Sequence, residues 1–244
     1  MNSRKFVIGV LGGMGTYATI HVFQTYAGIF YAKKEFDRPR LIIDNNCTMP
    51  SRVRAFLYRE NVEILVNQMI QSIEGLINIG CTKIILACNS SHLFLPDIYA
   101  KRPYLKNYII NIIDSCVQNI LDDRVKNVFL LGTEATIDSQ IYQNKLDELN
   151  IECSFPKQSV FPILRNCIEA VKQNSYSSEV RNQFLSIVNS NNNCILGCTE
   201  LPILLNKYRR YIRSDIKFYD PITIVINNLK NEFDEYQNFV NFNN

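Results

Sequence analysis

The sequence predicts an α/β fold made of two similar lobes, each with a largely parallel sheet. Three observations predict it. Short apolar runs rich in β-branched residues alternate with longer stretches of helical length and spacing, the pattern of strand–helix–strand units. Two segments of the first half recur, in order, in the second. "GVLGGMGTYAT" (Gly9 to Thr19) is echoed by "FLLGTEATIDS" (Phe129 to Ser139), and "IILACNSS" (Ile84 to Ser91) by "CILGCTEL" (Cys194 to Leu201). The 244 residues, 47% hydrophobic and 20% charged, suffice for one large domain or two small ones with a sizeable core.

The elements follow in order. "FVIGVLG" (Phe6 to Gly12) reads as a buried strand, and Thr16 to Ala32 as the helix after its glycine turn. "RLIIDN" (Arg40 to Asn45) is the second strand and Asn61 to Ile79 the next helix. "KIILAC" (Lys83 to Cys88) and "YIINII" (Tyr108 to Ile113) are the third and fourth strands. Then come "NVFLLG" (Asn127 to Gly132), a helix around Ser139 to Leu149, another around Pro162 to Gln173, and the strand "NCILGC" (Asn193 to Cys198). The Asn-rich end, Asn238 to Asn244, is expected to fray.

Composition excludes several classes of function. A net charge of +3 does not imply a nucleic-acid partner. The basic and aromatic run "NKYRRYIR" (Asn206 to Arg213) reads as a solvated helix surface rather than an RNA-contacting face. Phe6 to Ala32 carries no formal charge and follows "MNSRK", so a membrane span or signal peptide has to be weighed. Gly9, Gly12, Gly13 and Gly15, with Thr16, His21 and Gln24, interrupt the run too often for a membrane helix, and no small-residue cleavage site closes it. A cytoplasmic protein with no membrane partner is the expectation, with its eight cysteines mostly reduced. No C-x-x-C pair occurs and His21 and His92 are the only histidines, so no metal site is expected.

The echo places Cys88 and Cys198 at equivalent positions, each ending a strand. In parallel sheets ligands gather at the carboxyl ends of strands, where helix N-termini favour anions. Asn89, Ser90 and Ser91 after one cysteine, and Thr199 after the other, are residues able to cap the next helix. Two thiols facing one cleft from opposite sides suit the inversion of a stereocentre, which needs a base on one face and an acid on the other. The bland reading is that a cysteine is a small buried hydrophobe, and Cys47, Cys81, Cys116, Cys153, Cys167 and Cys194 are read so. His92, one helical turn after Cys88, either activates it as the nucleophile of a hydrolase or amidotransferase, or plays a supporting part. A hydrolase leaves Cys198 without a role, so the supporting part is preferred. "GVLGGMG" lacks the dinucleotide register, because Leu11 stands where the second glycine belongs, even though Asp44 follows the second strand. A glycine turn whose amides bind a small carboxylate is the functional reading; a tight turn without ligand is the bland one.

Taken together these residues resemble the aspartate/glutamate racemase family, the cofactor-independent amino-acid racemases with two cysteines. The motifs are "LGGMGTYAT" (Leu11 to Thr19), "ACNSSH" (Ala87 to His92) and "GCTELP" (Gly197 to Pro202), with "NNCTMPSR" (Asn45 to Arg52) and "YDPI" (Tyr219 to Ile222) in support. The opening is similar to the aspartate-racemase branch, since the Asp-Ser-Gly start of cell-wall glutamate racemases is absent.

The resemblance implies two pseudo-symmetric Rossmann-like lobes with the active site in the cleft between them. It divides the chain into residues 1–112, joined by 217–244, and residues 113–216. It implies racemisation of aspartate, glutamate or a related amino acid without cofactor, in a homodimer. Cys198 would handle the L-isomer and Cys88 the D-isomer. Thr16, Asn89, Ser90, Ser91 and Thr199 would bind the α-carboxylate and amino group, and Arg52 the side-chain carboxylate. Met14, Gly15 and Glu200, from the same motifs, complete the substrate-binding set, with His92 in support.

One departure stands out. "FPKQSVFPILR" (Phe155 to Arg165) has Val160 and Phe161 near the positions of the family's substrate-binding lysine, with Lys157 as a substitute from an earlier place. A substrate with a more apolar side chain is therefore an alternative to aspartate. Further alternatives are a cysteine-dependent isomerase or decarboxylase of another small carboxylate, and a catalytically silent amino-acid-binding homologue.

Overall fold

The computed structural model describes residues 6–242 and contains two four-stranded sheets, parallel throughout among the described residues. The basic lead-in Met1 to Lys5 and the last two residues of the Asn-rich end lie outside the described residues.

The first half runs β1 (Val7–Gly12), α1 (Thr16–Ile29), β2 (Arg40–Asn45), α2 (Arg52–Tyr58), α3 (Val62–Asn78), β3 (Lys83–Leu86), α4 (Leu95–Lys101), β4 (Ile109–Ile110) and α5 (Ile112–Asp122). The second runs β5 (Asn127–Leu131), α6 (Glu134–Asp138), α7 (Gln143–Asp147), β6 (Glu152–Ser154), α8 (Phe161–Lys172), α9 (Ser178–Val188), β7 (Asn193–Leu196), α10 (Leu201–Tyr208), β8 (Lys217–Tyr219) and α11 (Pro221–Phe242).

The sheet orders are β2-β1-β3-β4 and β6-β5-β7-β8, so the two halves share one topology. β1 corresponds to β5 and β3 to β7, which is the pairing that the sequence echo marks. All six residues of β1 are buried, as a central parallel strand requires.

Three apolar layers hold the sheets. Ile8, Val10 and Ile85 of the first sheet share one continuous core with Val128, Leu130 and Ile195 of the second, through α5 and α11. The far face of the first sheet packs on α3 and α4, and the far face of the second on α8, α9 and α10. Because the middle layer is common to both sheets, the strand ends that carry the cysteines are held in a set relation by packing rather than by one loop.

Several elements differ from expectation, each for a local reason. Tyr108 to Ile113 is not one strand: Asn111 accepts from the backbone N–H groups of Ile113 and Asp114 at 3.0 and 3.3 Å, capping α5 and ending β4 at Ile110. The helix expected around Ser139 to Leu149 is only α7, because Gln140 is left-handed at φ 56° and interrupts it after α6. Residues 217–219, expected to return to the first lobe, pair as β8 with β7, so the crossing segment begins only at Pro221. The expected fraying end is helical as far as Phe242. In the basic run, Tyr208, packed against Phe184, and Ile212 are buried, while the other six residues are exposed as expected of a solvated surface. No helix among the described residues is long and apolar enough to cross a membrane.

Candidate active site

Cys88 lies two residues beyond β3 and Cys198 two beyond β7, so each thiol leaves the carboxyl end of the equivalent strand. Between them is a chamber of about 70 Å³. Of the residues singled out in the sequence, Met14, Arg52, Cys88, Asn89, Ser90, Cys198, Thr199 and Glu200 line it. Gly15, Thr16, Ser91 and His92 do not.

The residues after the cysteines do not cap helices. Cys88 opens a 3-10 turn over Asn89–Phe94 that carries no side-chain cap, and Glu200 precedes α10 in the same way. Their polar groups act elsewhere. Ser91 Oγ donates to the Cys88 carbonyl at 2.6 Å. Thr199 Oγ1 reaches from the second half to the Ala87 carbonyl of the first, at 3.3 Å. Ser90 lies 3.4 Å from the Thr136 hydroxyl and 3.5 Å from that of Thr133.

His92 is fully engaged with backbone. Its Nε2 accepts from the Ile112 N–H at 3.3 Å, which leaves the proton on Nδ1 to donate to the Cys88 carbonyl at 3.0 Å. Burial pushes its pKa down, so the ring is neutral. It ties the cysteine turn to α5, and neither ring nitrogen is spared for the Cys88 thiol.

The glycine turn serves the site by close approach. Gly13, at φ 77°, lies against the Asn46 backbone, and a Cβ at Gly15, φ 147°, would overlap the Glu200 carboxylate. Gly15 is therefore the floor against which Glu200 rests. Thr16 lies outside, its hydroxyl 3.4 Å from the Cys47 thiol. Cys47, expected in the core, is exposed and accepts from Asn45 Nδ2 at 3.1 Å; Cys153 is only half-buried.

Glu200 and Cys198 form the electrostatic centre. The Cys198 thiol donates to Glu200 Oε2 at 2.9 Å. Burial and then the Glu200 charge push the Cys198 pKa well above the ordinary thiol range, the reverse of the depression that a helix N-terminus would cause. Burial also raises the Glu200 carboxyl, against the pull of Cys198, Lys172 and Arg52.

Arg52 is held by backbone: its terminal nitrogens donate to the Pro50 and Met14 carbonyls, each at 3.0 Å. Its Nε has no partner among the described residues, and the same holds for Asn89 Nδ2 and Glu200 Oε1. All three atoms are buried, and all three residues line the chamber. Two donors and one acceptor without partners thus belong to residues that line the chamber between the two thiols, and buried groups of this kind ordinarily find partners.

Sequence reasoning missed Thr133, Ile168 and Lys172, which also line the chamber. Thr133 follows Gly132 inside the echo and was open to notice. Ile168 and Lys172 are one turn apart on α8, but nothing in their spacing says that this face meets Cys198. Lys172 matters most, since it supplies a cation that Val160 and Phe161 lack. Burial works against its charge, yet its bond to Glu169 at 2.7 Å and the Glu200 charge keep its pKa above the usual lysine value.

Comparison with known proteins agrees with this architecture. The family model for Asp/Glu/Hydantoin racemase matches residues 11–229. The structure of Picrophilus torridus aspartate racemase superposes with a TM-score of 0.80 at 28% identity, covering 95% of this chain and 98% of that one. The broad specificity amino-acid racemase RacX of Bacillus subtilis is 24% identical over 225 residues, 88% of this chain and 92% of the relative. A glutamate racemase of Shewanella loihica is 25% identical over 140 residues; that match takes in 56% of this chain but only about half, 52%, of the relative's length.

Proposed function

The chain belongs to the Asp/Glu/Hydantoin racemase family, and we propose that it interconverts the L and D forms of an acidic amino acid by passing the α-proton between two thiols. The observation that carries this reading is the chamber itself. It presents two cysteines from equivalent strands together with two unpartnered buried donors and one unpartnered buried acceptor. An α-amino acid offers the complement: a carboxylate for the donors and an ammonium for the Glu200 acceptor.

For the L-isomer, the Cys198 thiolate takes the α-proton and the Cys88 thiol returns one to the opposite face. The reverse reaction exchanges the roles. Cys198 in the free enzyme is held as a thiol, so substrate has to change that balance. An ammonium placed against Glu200 neutralises the charge that disfavours the Cys198 thiolate, easing its deprotonation when the base is needed. Asn89 and Arg52 hold the carboxylates, and Lys172 sits on the same chamber as the second cation. The hydrolase alternative has no support, because His92 spends both ring nitrogens on backbone.

Purified, reduced, metal-free protein should exchange the α-hydrogen of L- and D-aspartate for deuterium in heavy water and bring either enantiomer to the racemate. Aspartate and glutamate that both keep their α-hydrogen and their optical rotation throughout sink the acidic-substrate reading. Lys172→Met should raise KM for aspartate about tenfold while leaving kcat nearly unchanged, as expected for a charge-assisted contact made equally in ground and transition states. Steady-state kinetics checks it, and an unchanged KM removes Lys172 from the substrate's surroundings.

One observation favours a second reading. A larger cavity of about 760 Å³ shares Ser51, Val53, Thr133, Ile168 and Lys172 with the thiol chamber; Leu57, Tyr58, Phe161 and Leu164 extend its wall together with the charged Arg54, Glu134, Asp138, Arg165 and Glu169. A longer side chain, apolar as well as acidic, has room there, consistent with the broad specificity named for the Bacillus subtilis relative. Exchange of leucine or methionine at rates matching or exceeding aspartate selects that reading.

A further inference from the structure

We infer that Tyr142 is a positioning residue, whose hydroxyl orients the Asn89 side chain so that its amide nitrogen faces the substrate carboxylate. Tyr142 is fully buried just before α7, in the core that both sheets share. Its hydroxyl donates to Asn89 Oδ1 at 2.6 Å, a contact between the two halves of the chain. Asn89 is itself 2% exposed, and its Nδ2 has no partner among the described residues although it belongs to a chamber-lining residue.

A primary amide can turn over and exchange its oxygen and nitrogen, and the hydrogen-bond network alone decides which way it settles. The Tyr142 hydroxyl has Asn89 Oδ1 as its acceptor, and turning the amide over would leave the buried phenol proton without one, so the carbonyl oxygen stays toward the core. Burial pushes the Tyr142 pKa well up, so the phenol stays protonated and remains a donor. The two amide protons are then left for the chamber. The left-handed Gln140 that interrupts the chain between α6 and α7 is part of the turn that delivers Tyr142 to this place. A purely structural account leaves the orphaned nitrogen unexplained, because a buried amide donor without a partner is costly to keep.

The inference rests on the racemase reading, and the experiment separates the two. Wild-type protein is first tested for α-hydrogen exchange with aspartate, glutamate, alanine, leucine and methionine. Failure with all of them sinks the racemase reading, and this inference with it. With an active wild type, Tyr142→Phe should raise KM for the exchanged amino acid about five- to tenfold with kcat nearly unchanged, because the carboxylate contact is uniform along the reaction. In an Asn89→Ala background the same substitution should add nothing, since the group it orients is gone. A wild-type KM in Tyr142→Phe overturns the inference alone, as does an equal effect of Tyr142→Phe with and without Asn89.

A merely structural tyrosine would lower thermal stability without that dependence on Asn89. Should Tyr142→Phe not fold, the side-chain amide NMR spectrum of the wild-type chain gives a second reading. The Asn89 amide protons should shift when the exchanged amino acid is added, and protons that stay in place overturn the proposal.

Discussion

Cys88→Ala and Cys198→Ala are each expected to lose racemisation by at least about 10²- to 10⁴-fold, the range contributed by a positioned acid or base. The loss should have a signature beyond its size. With Cys88 replaced, Cys198 can still remove and return the α-proton on its own face, so the L-isomer should exchange deuterium without inverting. With Cys198 replaced, the D-isomer should do so. Single-face exchange of this kind separates two one-sided bases from a site that has simply collapsed. Cys198 is 8% exposed and Cys88 half-buried, so removing one sulfur leaves a small cavity. Circular dichroism and thermal melts will show whether the fold survives. Racemisation at the wild-type rate in either variant removes the two-base mechanism.

Glu200→Gln is expected to lower kcat/KM by about 10- to 100-fold, the worth of one charge-assisted hydrogen bond in a buried site. It should also change the pH profile in a defined direction. On the proposed two-thiol mechanism the competent free enzyme carries one thiol and one thiolate, so kcat/KM should fall at alkaline pH when the last thiol proton is lost. In the wild type, burial and the Glu200 charge hold the Cys198 proton above the ordinary thiol range, and Cys88 adds in the same sense. Removing the Glu200 charge lowers the Cys198 pKa, so the alkaline limb moves to lower pH. Arg52 and Lys172 are the cations whose influence reaches Glu200, and neither changes in this variant. Because the equilibrium constant of a racemisation is unity, kcat/KM and its pH profile must be the same from L or D substrate. An alkaline limb that stays put or moves upward in Glu200→Gln removes Glu200 from control of Cys198.

Much of the fold was legible because burial in parallel sheets leaves a local mark. The strand expected over Phe6–Gly12 is β1, buried at all six residues from Val7 to Gly12, and the Gly12/Gly132 and Cys88/Cys198 echoes correspond to two sheets of identical order. Errors arose where one side chain overruled its neighbours' propensity. Asn111 turned the end of an isoleucine-rich strand into a helix start, and Gln140 broke an expected helix. Both are backbone decisions made by single residues, invisible to a periodicity that averages over a window.

What the sequence by itself determined was the class of fold, the family, and the two cysteines as a matched pair at strand ends. Each is written in local pattern or in the recurrence of a pattern along the chain. What only the tertiary structure decided was which polar groups are used up by the protein and which are left over. Ser91 and His92 stand in the same motif as Cys88 but spend their hydrogen bonds on backbone, whereas Asn89 keeps a donor because Tyr142, from the other half of the chain, satisfies its oxygen. Lys172 likewise reaches the chamber only because α8 packs with that face toward Cys198. Hydrogen-bond satisfaction and the facing of a helix depend on partners far away in sequence, so no reading of one segment at a time can supply them.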